Sequence, residues 1–353
     1  MPASPASASS EGVDTPAGAG ARILVVGVSW LGDCVMTLPA IRRLRQRLPG
    51  AHIAVLSKPS VAAVWSLFKE VDETLVMERG VKGTLWTVRA VRKGRFDFAY
   101  VLPKSFRSAL IPFLAGIRGR KGLRGHSRDW MLSESMALPP ESAMEHQCHE
   151  YLRLIGVEDH ATLFLPFVQV SLEDKDEARR LAGGLESESP LVGLFPGAAY
   201  GPAKRWPPER FAEVGRRLRD SHGARVIVLG SATDAAECAR VAELLGGQTL
   251  NLCAKTPLRQ LAGVLSLCRV VISNDSGGMH LAAALGVPVV AIFGITDPVR
   301  TGPMGDSCRV LTARGVRGRR DIPRHSLEAR AAMLSIRADE VYQAAAELIG
   351  RLP

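Results

Sequence analysis

The chain's 353 residues are enough for two domains with separate cores, and a composition of 46% hydrophobic and 23% charged residues excludes a fibrous or largely disordered protein. A formal charge of +10 points to anionic partners, which charge alone leaves open among phosphorylated small ligands, anionic membranes and nucleic acid. Aromatic residues make up 5% and do not interleave with the basic clusters, which counts against single-stranded nucleic acid.

Residues 1–21, MPASPASASSEGVDTPAGAGA, lack the basic start and apolar core of a secretory signal and read as a disordered tail. Apolar runs then alternate with amphipathic stretches. The order is strand RILVVGV, a helix over about Thr37–Leu48, strand HIAVLSK, a helix near SVAAVWSLF, strand ETLVME, a helix through LWTVRAVRK, and the runs FDFAYVLP and SALIPFLAGI. This alternation predicts βαβ units and a parallel sheet over residues 22–170. Ser171–Ser189, SLEDKDEARRLAGGLESES, reads as a charged linker helix between domains. Over residues 190–335 the pattern restarts with at least five strands: PLVGLFPG, ARVIVLGS, TLNLCA, RVVISND and VPVVAIFG. The closing run ADEVYQAAAELIGRL, within 336–353, predicts a helix that packs back across both domains.

The expected fold is therefore α/β, with two Rossmann-like doubly wound domains facing a cleft at the carboxyl ends of their strands. No run approaches the ~18 apolar residues of a membrane span, so the chain reads as soluble and cytoplasmic. Six scattered cysteines without a C-x-x-C pair read as reduced, mostly buried thiols. In EHQCHE, His146, Cys148 and His149 have no second ligand pair at a recognisable distance, and the D-x-D at Asp174 and Asp176 falls in the linker helix. No metal site is expected.

The loops after strands carry the chemistry. In NDSGGMH, Asp275, Ser276, Gly277 and Gly278 precede a helix with His280 one turn in, leaving backbone N–H groups at a helix N-terminus that suit a diphosphate. In FPGAAYGPAKRWP, Lys204 and Arg205 stand at the mouth of a strand, where Lys204 suits a leaving diphosphate. In VLGSATDAAE, Asp234 or Glu237 suits the hydroxyls of a ribose, and an N-cap role for Asp234 stands beside it. GVSWLGDC has P-loop glycine spacing at Gly27 and Gly32, but Asp33 and Cys34 replace the Lys and Ser or Thr of a P-loop. Asp33 would repel a phosphate, so it reads as a helix cap or an acid–base residue. G-x-G-x-x-G is absent after the first strand, which removes the main support for a dinucleotide enzyme.

Together ILVVGVSWLGDCVMTLPAIRRLRQRLPGAHIAVL, YVLPKSFRSALIPFLAGI, PGAAYGPAKRWP and NDSGGMHLAAALGVPVVAIFG resemble the ADP-heptose:lipopolysaccharide heptosyltransferases of glycosyltransferase family 9. The resemblance runs from about Arg22 to the C-terminus and is strongest to the members that add the second heptose. It implies a GT-B fold and inverting transfer of L-glycero-D-manno-heptose from ADP-heptose to the first heptose of the lipopolysaccharide inner core, on heptosylated Kdo-lipid A. A related transferase with another core acceptor, or a GT-B sugar-nucleotide epimerase, is the alternative. The resemblance places Asp33 as general base, and Lys204, Asp275, Ser276, Gly277, Gly278 and His280 on the ADP, with Asp234 on its ribose. A helix N-terminus at Asp33 favours its ionised form. Lys104, Arg107, Arg120, Lys121, Arg124 and Arg128 are then expected to meet the acceptor's phosphates and carboxylates, or the anionic inner-membrane surface at its cytoplasmic face. Beyond the donor substrate no cofactor is required by this scheme, and no nucleic-acid partner is expected.

Overall fold

The computed structural model describes residues 20–125, 127–138, 145–157, 167–184, 189–247, 249–314 and 323–350; of the tail read over 1–21, only Gly20 and Ala21 lie among them. Among the described residues, twelve parallel strands form two sheets. The first comprises β1 (Arg22–Val26), β2 (His52–Ser57), β3 (Glu73–Val76), β4 (Phe98–Val101), β5 (Gly119–Leu123) and β6 (Glu134–Met136), in the order β3-β2-β1-β4-β5-β6. The second comprises β7 (Leu191–Phe195), β8 (Arg225–Val228), β9 (Leu250–Asn251), β10 (Val270–Asn274), β11 (Val289–Phe293) and β12 (Cys308–Thr312), in the order β12-β11-β10-β7-β8-β9. Read from β9, the second order repeats the first. Each sheet reverses direction once, between β1 and β4 and between β7 and β10, and a crevice opens beyond the strand ends at each reversal. LVGLF of β7 and VVAIF of β11 are buried at every position, as helices on both faces require.

The helices of the first half are α1 (Leu31–Met36), α2 (Leu38–Arg47), α3 (Gly80–Lys93), α4 (Phe106–Leu114) and α5 (Gln147–Leu154). The others are α6 (Leu172–Leu181), α7 (Pro208–His222), α8 (Ala235–Leu245), α9 (Leu258–Ser266), α10 (Gly277–Ala284), α11 (Pro298–Thr301), α12 (Leu327–Ser335) and α13 (Ala338–Gly350). Several differ from the sequence expectations for physical reasons. Helical structure begins at Leu31, ahead of the expected start at Thr37, and is interrupted at Thr37, just before Pro39 enters the first turn of α2 without an N–H to donate. SVAAVWSL of the expected helix lies within a 3-10 segment, Pro59–Leu67, which ends before Phe68, and SALIPFLAGI lies largely in α4, capped by Ser105. Short β5, β6 and β12, rich in Gly or polar residues, carry too little apolar signal to stand out in the sequence.

The linker helix and the closing helix both pack on the second half. The linker helix α6 packs on α9, and Asp174 is paired with Arg259 at 2.8 Å; a side chain at Gly263 would come within 2.7 Å of the Asp174 carbonyl oxygen. The charged segment is thus a face of the second half. The C-terminal helix α13 packs on α7 and strands β10, β11 and β12, because Val341, Ala345 and Leu348 complete the core around Trp206 rather than bridging both sheets.

One hydrophobic cluster runs through both halves, from Ile23, Val55 and Phe98 to Phe195, Val271 and Met279. All six cysteines are free and five are buried, in line with the reading of reduced thiols. No described helix is long and apolar enough to cross a membrane.

Candidate functional site

The two sheet reversals face each other. From the first, the chain leaves β1 through Gly27, where a Cβ would press on the Trp65 ring at 3.1 Å, and enters α1 at Leu31. From the second, it leaves β10 through Asp275 and enters α10 at Gly277. α1 and α10 touch across the cleft through glycines on each side. A Cβ on Gly32 would lie 2.6 Å from His280 Cδ2, and one on Gly277 would lie 2.8 Å from Leu31 Cβ. Neither glycine has a positive φ, so close approach rather than backbone conformation requires them.

This contact sets Asp33, in the first turn of α1, into a cavity of about 200 Å³ with Trp30, Gly32 and Met36 on its side. Opposite stand Lys204, Asp275, Ser276, Gly277 and His280 from the second half, with Ala199, Tyr200 and Thr301 at the margins. Residues predicted on opposite domains therefore line one space.

The second half presents a cation and a helix terminus. Lys204 Nζ donates to Asp275 Oδ2 at 2.5 Å and lies 5.6 Å from the centre of the Tyr200 ring. Asn274 ties the two supporting loops together: its Nδ2 donates to the Pro196 carbonyl at 2.7 Å and its Oδ1 accepts the Trp206 N–H at 3.1 Å. Ser276 is the extended N-cap of α10, but its Oγ lies 3.0 Å from Ser273 Oγ and does not cap the helix. The first N–H groups of α10 are therefore left without a side-chain acceptor from the cap, at the positive end of the helix. Gly278 is fixed by packing, since a Cβ there would meet the Phe195 ring at 2.5 Å.

His280 is buried against this terminus, and its Nδ1 has no hydrogen-bond partner among the described residues. Burial pushes its pKa down to about 4, helped by His146 and Lys204 and opposed by Asp275, so the ring is neutral near pH 7. It adds no charge to the cavity.

Behind the cavity a second contact joins the halves. His146 caps α5 by accepting the Cys148 N–H on Nδ1 at 3.3 Å, which leaves Nε2 to donate to the Gly302 carbonyl at 3.0 Å. One helical turn on, Glu150 pairs with Arg300 of α11 at 2.7 Å. EHQCHE is thus a cap and an interdomain contact. Among the described residues no group of three or more His, Cys, Asp or Glu is placed to hold a metal.

Several other expected site residues already have partners within the chain. Asp234 is the acidic member of a capping box: its Oδ2 accepts from the Ser231 N–H at 3.0 Å and from Ser231 Oγ at 2.6 Å, while Arg205 lies 3.8 Å from Oδ1. It is buried, does not line the cavity and keeps Oδ1 without a hydrogen-bond partner among the described residues, and the capping role is the one the structure displays. Arg128 is fully buried, its guanidinium turned onto the carbonyls of Leu123, Pro103 and Ser105, and it is not presented to an acceptor. Arg120 is similarly closed on the carbonyls of Ile117, Arg118 and Met131, and Arg107 donates to the Glu78 carbonyl. Lys121 pairs with Glu134 at 2.6 Å and exposed Arg124 with Asp129 at 3.4 Å. Lys104 follows β4 at the reversal of the first sheet and is half-buried.

Sequence reasoning missed Trp30, Met36, Tyr200 and Thr301, which line the cavity beside the expected residues. Tyr200 had a usable signal, since it lies in the loop that follows β7. Sequence reasoning also missed the pairing of Arg205 with Glu237, which occupies the other acid suggested for a ribose.

The comparisons fit this geometry. Residues 85–322 match the model of the family described as glycosyltransferase family 9 (heptosyltransferase). Lipopolysaccharide heptosyltransferase 2 of Escherichia coli (strain K12) is 36% identical over 307 residues, covering 82% of this chain and 87% of that protein. Lipopolysaccharide heptosyltransferase 1 of the same strain is 25% identical over 305 residues, with coverage of 83% and 93%. The solved structure of E. coli ADP-heptose lps heptosyltransferase II superposes with a TM-score of 0.81 at 32% identity, covering 93% of this chain and 98% of that one.

Proposed function

This chain belongs to glycosyltransferase family 9, and we propose that it transfers L-glycero-D-manno-heptose from ADP-heptose to the first heptose of the lipopolysaccharide inner core, inverting the anomeric carbon. The observation that carries the reading is one cavity with a carboxylate, Asp33, on the first half and a cation beside a helix N-terminus, Lys204 and α10, on the second. The greater similarity to heptosyltransferase 2 than to heptosyltransferase 1 supports the acceptor assigned.

The chain's own groups can divide the chemistry. The acceptor hydroxyl attacks the sugar carbon from the face opposite the ADP, its proton passes to the Asp33 carboxylate, and the bond to the ADP oxygen breaks. The charge that develops on the leaving diphosphate meets Lys204 and the free N–H groups of α10. Asp275 positions the Lys204 ammonium. Neutral His280 supports the loop. No step needs a metal or other cofactor, and the cation and helix terminus supply the leaving-group stabilisation. The donor is held mainly by the second half and the acceptor by the first. The enzyme works in the cytoplasm at the inner membrane surface, where such acceptors are anchored.

The test is ADP release from ADP-heptose with core-truncated lipopolysaccharides bearing no heptose or one heptose. Turnover on the one-heptose acceptor is expected. Turnover confined to the heptose-free acceptor would reassign the position, and no turnover with either would refute heptosyl transfer.

A further inference from the structure

Outside the cleft, the first half carries an apolar surface that is exposed among the described residues. On α3, Thr87, Val88 and Val91 face the core, while Val81, Leu85 and Trp86 face outward, 82%, 52% and 64% exposed. α4 packs beside α3 and adds exposed Phe106 and Leu114. Trp130, 64% exposed, stacks edge-on against Phe113 of α4 at 5.2 Å and lies 6.5 Å from Phe106. Three adjacent elements thus hold large apolar side chains in water.

The same surface is basic. Between Gly80 and Lys93 stand Lys82, Arg89, Arg92 and Lys93, all exposed, and no acid. Arg89 lies over the Trp86 ring at 5.5 Å, and Arg92 reaches the Leu114 carbonyl at the end of α4. Exposed tryptophans among aliphatic side chains, with cations along α3, match the boundary of an anionic bilayer, where indole rings sit at headgroup depth and cations meet lipid phosphates. A partner protein of ordinary surface would not account for the one-sided charge. The position fits as well. α3 follows β3, α4 follows β4 and the turn with Trp130 follows β5, so their first residues lie at the sheet edge that opens on the cleft.

We infer that the face formed by α3, α4 and Trp130 is the docking surface for an anionic lipid bilayer, setting the cleft mouth toward an acceptor anchored in that bilayer. It rests on the proposed function for its purpose, but not for its existence. Arg107, Arg120 and Arg128, spent on backbone carbonyls, are not its contacts, and the cations of α3 take that role.

The experiment is flotation of the full chain with phosphatidylcholine vesicles holding about 30 mol% phosphatidylglycerol, and with pure phosphatidylcholine, at about 0.1 M salt. The wild type should float with the first and not the second. Leu85→Ser with Trp86→Ser, and separately Lys82→Glu with Arg89→Glu, should each lower binding about tenfold or more. Thermal melts verify that these exposed substitutions leave the fold intact. Transfer to a delipidated one-heptose core oligosaccharide should stay within about twofold of wild type, since neither pair lines the cavity. The inference is overturned if the wild type ignores anionic vesicles, if both variants bind as it does, or if the apolar variant instead dissolves a dimer seen by sedimentation. Vesicle binding without any transfer to the soluble acceptor would uphold the docking surface and refute the proposed reaction.

Discussion

Gly32 gives a sharp test of how the halves are held. An alanine there places a Cβ 2.6 Å from His280 Cδ2 and 3.1 Å from its Nε2, about 0.8 Å inside an ordinary carbon–carbon contact. The His280 ring is buried and cannot swing away as an exposed chain end would. α1 must therefore back away from α10, or the ring must be displaced into the diphosphate loop. Alanine gains about 1 kcal/mol over glycine from helix propensity, while overpacking a tight contact costs about 1–3 kcal/mol, so stability changes little or falls modestly. Activity should change more, because α1 carries Asp33 and a shift near 1 Å costs about 100-fold in a positioned reaction. Steady-state transfer and thermal melts on Gly32→Ala should show kcat down about 10- to 100-fold with a melting temperature within a few degrees of wild type. A variant stabilised by the full propensity gain and transferring heptose at the normal rate would refute the tight contact.

Four further outcomes follow from the site. Asp33→Asn should leave ADP affinity, read by calorimetry, nearly unchanged while transfer falls about 100-fold or more; normal transfer would return Asp33 to a helix-capping role. Lys204→Ala should weaken ADP binding and turnover together, because it removes the ammonium held by Asp275. Asp234→Ala should cost about 1 kcal/mol in denaturant unfolding through loss of the capping box, with ADP affinity retained; a large affinity loss would restore the ribose reading. His280, held neutral by burial with a pKa of about 4 against 6.5 in the open chain, binds its proton more readily when unfolded. Its contribution to stability is complete above about pH 6.5 and is lost as pH falls toward 4, by up to about 3 kcal/mol. His280→Gln should flatten this part of the stability–pH profile, and an unchanged profile would mean that the ring is not the group responsible.

Much of the fold was legible because its signals are local. ILVV, LVGLF and VVAIF are continuous apolar runs bounded by glycine or proline, and such runs form strands buried on both faces wherever they sit. The NDSGG turn could be read as an anion site because strand end, small residues and helix start are neighbours in the chain. The weak edge strands and Thr301 were not legible, since their places depend on what lies beside them.

The sequence by itself determined two doubly wound halves, the loops that face the cleft and the kinds of side chain those loops carry, all of which follow from spacing along a few residues. Only the tertiary structure decided which charges reach the cavity. Asp33 and Lys204 are both charged loop residues in the sequence, and so are Asp234 and Arg128. The first pair lines the cavity, whereas Ser231 takes up Asp234 and the carbonyls of Leu123, Pro103 and Ser105 take up Arg128. A side chain's partners are set by atoms that converge from distant parts of the chain, as Lys204 and Asp275 do across 71 residues, and no local pattern encodes that convergence.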